Sequence, residues 1–369
     1  MIDVKKIQEK SAMEKLNEML ISMQTIKTKE KVIFYRLLST MVNAGMSLLR
    51  SMMVLEKQEK NLVFKKILGR FCEELKSGKS LSECLGLYPS SFSNAEVGIV
   101  RSGEKTGKLN TVLLDLANQV EKVASISGKL KSAMIYPLFI LVVVFGVVFV
   151  MMTMVVPKLL DIFEDKASLP ASTQTLIALS NFFTHYWYLI IILVFGIIVG
   201  ISLWKKTASG RYLFDSIILK VPVFGEVVRK IILSKFSRIF AGLIGSGVSI
   251  VESLRITSDA VGNEAYRQRL LLLSEDVKGG IKIWESIDSD EFFPEMVTQM
   301  IQVGEETAKL DQVIVKVADF YDEQVDNTIT NLNKLLEPFI IVFLAVVVGF
   351  IAMAIMQPIM NLADTVSNS

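Results

Sequence analysis

The sequence predicts an all-α integral membrane protein with two homologous cytoplasmic helical-bundle repeats and three transmembrane helices. Three observations lead to this fold class: long apolar blocks, an internal duplication, and apolar residues spaced three and four apart within the polar segments. Apolar residues make up 51% of the chain, and they are concentrated in the blocks rather than spread evenly. Such a distribution is typical of a membrane protein.

Each apolar block is long enough to cross a bilayer once. Residues 134–156, 186–204 and 338–356 contain no charged side chain. About 20 helical residues cover the roughly 30 Å hydrocarbon layer. We therefore expect each block to form a transmembrane helix.

The charges beside the blocks predict the orientation, because basic residues near span ends are retained in the cytoplasm. Lys129 and Lys131 precede the first block, and Lys205 and Lys206 follow the second. The first 30 residues are polar and show no signal peptide, which predicts that the N-terminus stays in the cytoplasm. The predicted segments are a polar N-terminal segment (1–30), a first cytoplasmic repeat (31–133), transmembrane helix 1 (134–156), an extracytoplasmic loop (157–185), transmembrane helix 2 (186–204), a second cytoplasmic repeat (205–334), transmembrane helix 3 (335–357) and an extracytoplasmic tail (358–369).

An internal duplication appears when the chain is shifted against itself by about 200 residues. Two offsets, 202 and then 201, align glycines, prolines and motif residues through a polar segment and an apolar block. The aligned pairs include Phe34 with Phe236, Arg36 with Arg238, Gly45 with Gly247, Asn61 with Asn263, Gly78 with Gly280, Phe92 with Phe293, and Pro137 with Pro338. Two related domains fold in the same compartment, so an even number of crossings must separate them, which independently requires the second span.

The polar segments show helical periodicity. Phe34, Leu37, Leu38 and Met41 form one apolar stripe in the first copy. Gly45 and its partner in the second copy are expected to separate two helices, and Gly78 and its partner to end another. Each repeat is therefore predicted to be a helical bundle.

A short motif occurs once in each repeat, as GEKTGKL at 103–109 and GEETAKL at 304–310. We expect a helix to end at the first glycine, and the next helix to begin after the threonine, which would cap it. The glutamate is expected near the N-terminus of that following helix, where negative charge is favoured. Two roles stay open for it, bracing the corner or contacting a partner. The candidate site residues are Gly103, Glu104, Gly107, Leu109, Gly304, Glu305 and Leu310, with Pro137 and Pro338 at the entries of the first and third spans.

The sequence lacks the groups that most enzymes need. It contains no GxxxxGK[ST] or HExxH motif, and its only histidine, His185, lies in a segment predicted to be extracytoplasmic. Cys72 and Cys84 match no metal or redox spacing and are predicted to be small packing residues. We predict a protein that is not an enzyme and that has no cofactor and no metal site.

Charge differs between the two repeats. Basic residues outnumber acidic ones in residues 1–133, whereas acidic residues outnumber basic ones in 205–334. The basic repeat is expected to face either the anionic headgroups of the lipid bilayer or an acidic protein partner. No nucleic acid binding is predicted, because the basic residues are scattered and lack interleaved aromatics.

The duplicated motif, the two polar repeats and the spans resemble the GspF/PilC family, the inner-membrane platform proteins of type II secretion systems and type IV pili. The resemblance covers residues 31–360, and Ala308 departs from the glycine usual in the second motif. It implies a platform that couples a hexameric cytoplasmic assembly ATPase to the assembly of pilins or pseudopilins into a filament. It also implies a multi-pass location in the bacterial inner membrane, contacts with other inner-membrane assembly proteins and a homo-oligomer.

Two alternatives from other classes stay open at this point. One is a permease subunit of an ATPase-driven transporter, for which more spans or a polar cavity would be typical. The other is a membrane-anchored scaffold.

Overall fold

The computed structural model describes residues 26–160, 171–222 and 224–367, and these residues form helices joined by short turns. The predicted N-terminal segment up to residue 25 and residues 161–170 of the predicted loop lie outside the described part. The chain divides into two compact units. Among the described residues, the first unit contains those up to 128 together with those from 215 to 325, and the second contains those from 129 to 214 together with those from 326 onward.

The same order of six helices occurs twice in the described residues. The first repeat consists of α1 (Thr28–Asn43), α2 (Leu48–Gln58), α3 (Leu62–Lys76), α4 (Leu81–Gly86), α5 (Asn94–Thr106) and α6 (Leu109–Val150). A π-helical turn (Met151–Val155), α7 (Val156–Leu160), α8 (Ala171–Trp204) and α9 (Ala208–Lys220) follow. The second repeat consists of α10 (Phe224–Gly245), α11 (Ile250–Ala260), α12 (Glu264–Lys278), α13 (Ile283–Ile287), α14 (Glu295–Glu306) and α15 (Leu310–Ser367).

The residues that the duplication preserves separate these helices. Gly45 and Gly247 adopt φ angles of 81° and 90°, a left-handed conformation that glycine reaches without a Cβ penalty. Asn61 caps α3 by accepting from the amide of Val63, and Asn263 caps α12 in the same way. The sequence-based prediction that Gly45 and Gly247 separate two helices is confirmed.

Each repeat encloses its own apolar core. In the first, Phe34 meets Phe64 edge to face with ring centroids 5.6 Å apart. In the second, the equivalent Phe236 packs on Phe293 with centroids 5.5 Å apart. Aromatic pairs in this geometry contribute beyond their buried area. The aligned phenylalanines are therefore core residues of two similar bundles.

An arginine on the first helix of each bundle binds the last helix. Arg36 on α1 pairs with Glu121 on α6, and Arg238 on α10 pairs with Asp322 on α15. The second arginine also binds Asp319 at 2.9 Å. The largely buried pair of Arg238 and Asp322 holds α15 against its bundle, whereas the half-exposed pair of Arg36 and Glu121 contributes little to the position of α6.

The second unit contains the most apolar helices. Among the described residues, the segment Leu138–Lys158 is long and apolar enough to cross a membrane. The segments Thr173–Leu189 and Ile191–Trp204 meet at a bend of 48° and would form a second span if taken together, while Ile340–Met353 is apolar but shorter. Met152 and Ile351 are buried together in a small cluster here, and Ser180 donates to the carbonyl of Met152 at 2.6 Å.

Candidate functional site: the repeated helix corner

The motif forms a corner between α5 and α6, and again between α14 and α15. The expectation that a helix ends at Gly103 and Gly304 is wrong, because α5 continues to Thr106 and α14 to Glu306. The threonine does not cap the next helix either. The hydroxyl of Thr106 donates backwards to the carbonyl of Ser102 at 2.9 Å, within its own helix.

The motif glutamates cap a different helix from the one expected. In the first repeat, Oε1 of Glu104 accepts from the backbone amide of Leu81 at 2.5 Å, and the carboxylate also lies 3.3 Å from the amide of Ser82. In the second, Glu305 accepts from the amides of Ile283 and Trp284, both at 3.0 Å. These amides open α4 and α13, the short helices that precede the motif, rather than the long helices that follow it.

This cap satisfies groups that a helix leaves without partners. The first amides of a helix have no acceptor inside the helix, and the helix dipole favours a negative charge there. A helix as short as α4 or α13 has little stability of its own. The carboxylate therefore ties the short helix to the helix that carries the motif.

The first glycine of the motif permits close packing rather than a turn. A Cβ atom on Gly103 would lie 3.0 Å from the Cβ of Val112, and one on Gly304 would lie 3.0 Å from the Cα of Leu310. Leu310 is buried at the start of α15, while Leu109 is half-buried at the start of α6. The glycine lets the motif helix lie against the first turns of the long helix.

The turn itself occurs four residues later. Gly107 has a φ of 72°, and the equivalent Ala308 has a φ of 54°. Both are in the left-handed region, where an L-residue with a Cβ is strained. The departure of the second motif from glycine therefore falls on the one position of the motif where glycine is favoured by the backbone.

The long helices begin at the motif leucines and contain the two prolines. Pro137 lies inside α6 and Pro338 inside α15, so neither proline starts a helix. Proline in a helix interior removes one backbone hydrogen bond. The structure thus separates the start of each long helix from the predicted entry into its span.

The two cysteines are buried in the first repeat, as the sequence predicts. Burial raises the pKa of both thiols to about 11, so neither is a thiolate at neutral pH. They are unreactive packing residues.

The sequence-based reasoning missed the arginine pairs. Arg36 and Arg238 were aligned by the duplication, but their partners Glu121 and Asp322 were not, because an aspartate stands where the other copy has glutamate. A search for acidic residues at matching positions would have found both partners.

Comparison with known proteins agrees with this architecture. The family model described as type II secretion system (T2SS), protein F matches residues 34–157 and again 236–358, one match for each repeat. The chain belongs to this family. The two matches cover the helix corner in both copies, the whole of α6 and most of α15.

Curated relatives of the family align with nearly the whole chain. The type IV pilus assembly protein PilC of Thermus thermophilus is 36% identical over 92% of this chain and 84% of its own length. PilC of Pseudomonas aeruginosa is 33% identical over 92% of both chains. The type II secretion system protein F of Aeromonas hydrophila is 30% identical over 99% of this chain and 94% of its own length.

A first prediction concerns the left-handed position of the turn. Replacing Ala308 by glycine should raise the free energy of unfolding by about 0.5–1 kcal/mol, because it removes the Cβ strain at positive φ. Gly107→Ala should lower it by about 1 kcal/mol, since no atom lies within 4 Å of the added Cβ and only the backbone is strained. Thermal melting of the purified full-length protein measures both changes, and a lower midpoint for Ala308→Gly would contradict the argument.

A second prediction concerns the two capping carboxylates. Glu104→Gln and Glu305→Gln should each cost about 1–2 kcal/mol of stability, because the amide keeps an acceptor but loses the charge. Glu306→Gln is the matched control, since Glu306 is exposed and accepts only from Gln302 among the hydrogen bonds described. Thermal midpoints of the three variants give the comparison. An unchanged midpoint for Glu104→Gln together with lost filament assembly would assign that residue a partner contact instead.

Proposed function

We propose that this chain is the inner-membrane platform that couples a cytoplasmic assembly ATPase to the assembly of pilins or pseudopilins. The observation that carries the proposal is the family match over both repeats, each of which retains the capped corner at the start of a long helix. The named relatives are type IV pilus assembly proteins and type II secretion system proteins. In this proposal the ATPase hydrolyses ATP, and the chain itself catalyses no reaction.

The geometry of the corner is suited to transmitting motion from one helix to the next. Each short helix, the motif helix and the first turn of the long helix are linked by a charged cap and a glycine contact, so a displacement of one is passed to the others. In the first repeat, Glu104 borders an open depression of about 450 Å³ that Arg101 and Lys105 also line. This depression is accessible to a protein partner, and we propose it as a contact surface for the ATPase.

The topology is part of the proposal. We place both repeats in the cytoplasm, with spans at 134–156, 186–204 and 335–357 in the bacterial inner membrane. The basic residues beside the first two apolar blocks and the even number of crossings between similar repeats support this arrangement. In this topology the excess of basic residues in the first repeat would favour its contact with anionic lipid headgroups on the cytoplasmic side.

Cysteine labelling tests the topology. In a variant without Cys72 and Cys84, cysteines at Ser172 and Ser367 should react with an impermeant maleimide applied to intact cells. Cysteines at Gln58 and Gln268, both exposed in the repeats, should react only after the membrane is permeabilised. Labelling of the Gln268 position in intact cells would exclude a cytoplasmic second repeat.

Loss of the chain tests the function. Cells that lack it should form no surface filaments, or should retain the secreted substrate, while the pilins and the ATPase remain at normal abundance. The full-length chain should co-purify with the ATPase from membranes. Normal filaments and normal secretion in the deletion strain would refute the platform role, and solute flux through reconstituted vesicles would indicate a permease.

A further inference from the structure

The two repeats contact each other through different faces. Both lie in the same compact unit. Ile239 and Leu243 on α10 are buried in the apolar core of the first repeat. A Cβ on Gly98 of α5 would lie 3.1 Å from Cδ1 of Ile256 on α11, and the hydroxyl of Ser102 donates to the carbonyl of Ser246. The second repeat thus inserts α10 and α11 against α5 of the first.

Because the repeats are copies, each of them carries both faces. We call the α10–α11 surface the inserting face and the α5 surface the receiving face. The contact within the chain uses the inserting face of the second repeat and the receiving face of the first. In the first repeat the inserting face consists of Leu37, Met41, Met46 and Val54, and in the second the receiving face consists of Gln299, Val303 and Phe320.

These two remaining faces expose apolar side chains, with Met41, Met46 and Val54 half-buried in their own repeat and the polar Gln299 also exposed. Leu37 is 41% exposed, whereas its counterpart Ile239 is 6% exposed. Val303 is 50% exposed and Phe320 is 43% exposed. Their counterparts in the first repeat are the polar Ser102 and Gln119, so the second repeat has apolar side chains where the first has polar ones. Exposed apolar clusters of this kind mark interaction sites.

The side chains of these two faces differ in size from those of the covered contact, and at one position the differences compensate each other. The receiving face of the second repeat has Gln299 where the first has Gly98. The atom that approaches Gly98 is Cδ1 of Ile256, and the counterpart of Ile256 is Val54, which lacks that atom. At this position the inserting face of the first repeat is therefore smaller where the receiving face of the second is larger. At Gly242, whose Cβ would clash with Oε1 of Gln119, the counterparts Thr40 and Phe320 are both larger, so the two faces must separate slightly there.

The charges around the faces are also complementary. Arg50 and Lys57 flank the inserting face of the first repeat, and Glu295 and Glu306 flank the receiving face of the second. All four are exposed. At the equivalent positions beside the contact within the chain, the inserting side is acidic, and the receiving side has one neutral and one basic residue.

Beside that contact, Glu252 and Asp259 stand in place of Arg50 and Lys57, and Asn94 and Lys105 stand in place of Glu295 and Glu306. If an inserting face docked on the receiving face of the same repeat type, residues of like charge would lie close together. This repulsion disfavours that pairing. The charge difference between the repeats therefore extends to the residues beside these faces.

We propose that copies of this chain associate head to tail, with the inserting face of the first repeat docked on the receiving face of the second repeat of a neighbouring copy. The contact is heterologous, so it builds a ring if the rotation closes and an open row if it does not. The proposal rests on the geometry of the repeats and is independent of the filament role.

Cross-linking between differently tagged copies tests the contact. The pair Ser102 and Ser246 within the chain corresponds to Ala44 on one copy and Val303 on the next. Cys72 and Cys84 are first replaced by serine, the residue that stands at the equivalent positions Ser274 and Ser286. An Ala44→Cys chain and a Val303→Cys chain, each with its own tag, are then expressed together in the same membranes. A short bismaleimide should then produce a dimer that carries both tags, about tenfold more than either chain forms alone.

The control is a Ser102→Cys, Ser246→Cys chain, which should cross-link internally and remain a monomer. Adding Leu37→Glu to the Ala44→Cys chain should reduce the two-tag dimer about tenfold at unchanged thermal stability, because Leu37 lies at the surface of its repeat. Two outcomes would overturn the proposal. One is the absence of the two-tag dimer, and the other is an equally abundant dimer from the Ala44→Cys chain alone, which would indicate a two-fold contact.

Discussion

A carboxylate that accepts two backbone amides holds each helix corner together. Glu104 and Glu305 satisfy amides at the start of helices too short to be stable alone. With the short helix fixed, the motif helix has a defined position, and Gly103 or Gly304 brings it against the long helix. The point at which each long helix starts therefore depends on this one charged cap.

The duplication explains why the same residues recur and why other residues diverge. Many residues that set backbone geometry or caps are retained in both copies, among them Gly45, Asn61 and the motif glutamate, whereas Gly107 is replaced by Ala308. Residues on the contact faces differ, because one copy of each face is covered within the chain and the other is not. Leu37 and Ile239 occupy the same position of the bundle, yet one is at the surface and the other is buried.

The charged groups of the bundles are used largely for internal structure. Arg36 and Arg238 bind the acidic residues of α6 and α15, and the motif glutamates bind backbone amides. Such groups maintain the geometry of a coupling element without chemistry of their own. This fits the proposed division of labour, in which a separate ATPase supplies the energy and the platform transmits it.

The sequence by itself determined the all-helical class, the duplication, the helix breaks at Gly45 and Gly247, and the family. These depend on periodicity and on residues with strong local preferences, which are encoded within a few positions of one another. Only the tertiary structure decided which helix each motif glutamate caps. Glu104 lies 23 residues from Leu81, and no local pattern relates a side chain to an amide at that separation. The close contacts at Gly103 and Gly304, the left-handed turn at Ala308 and the unequal burial of equivalent faces likewise arise from packing between helices, which a sequence read along the chain does not specify.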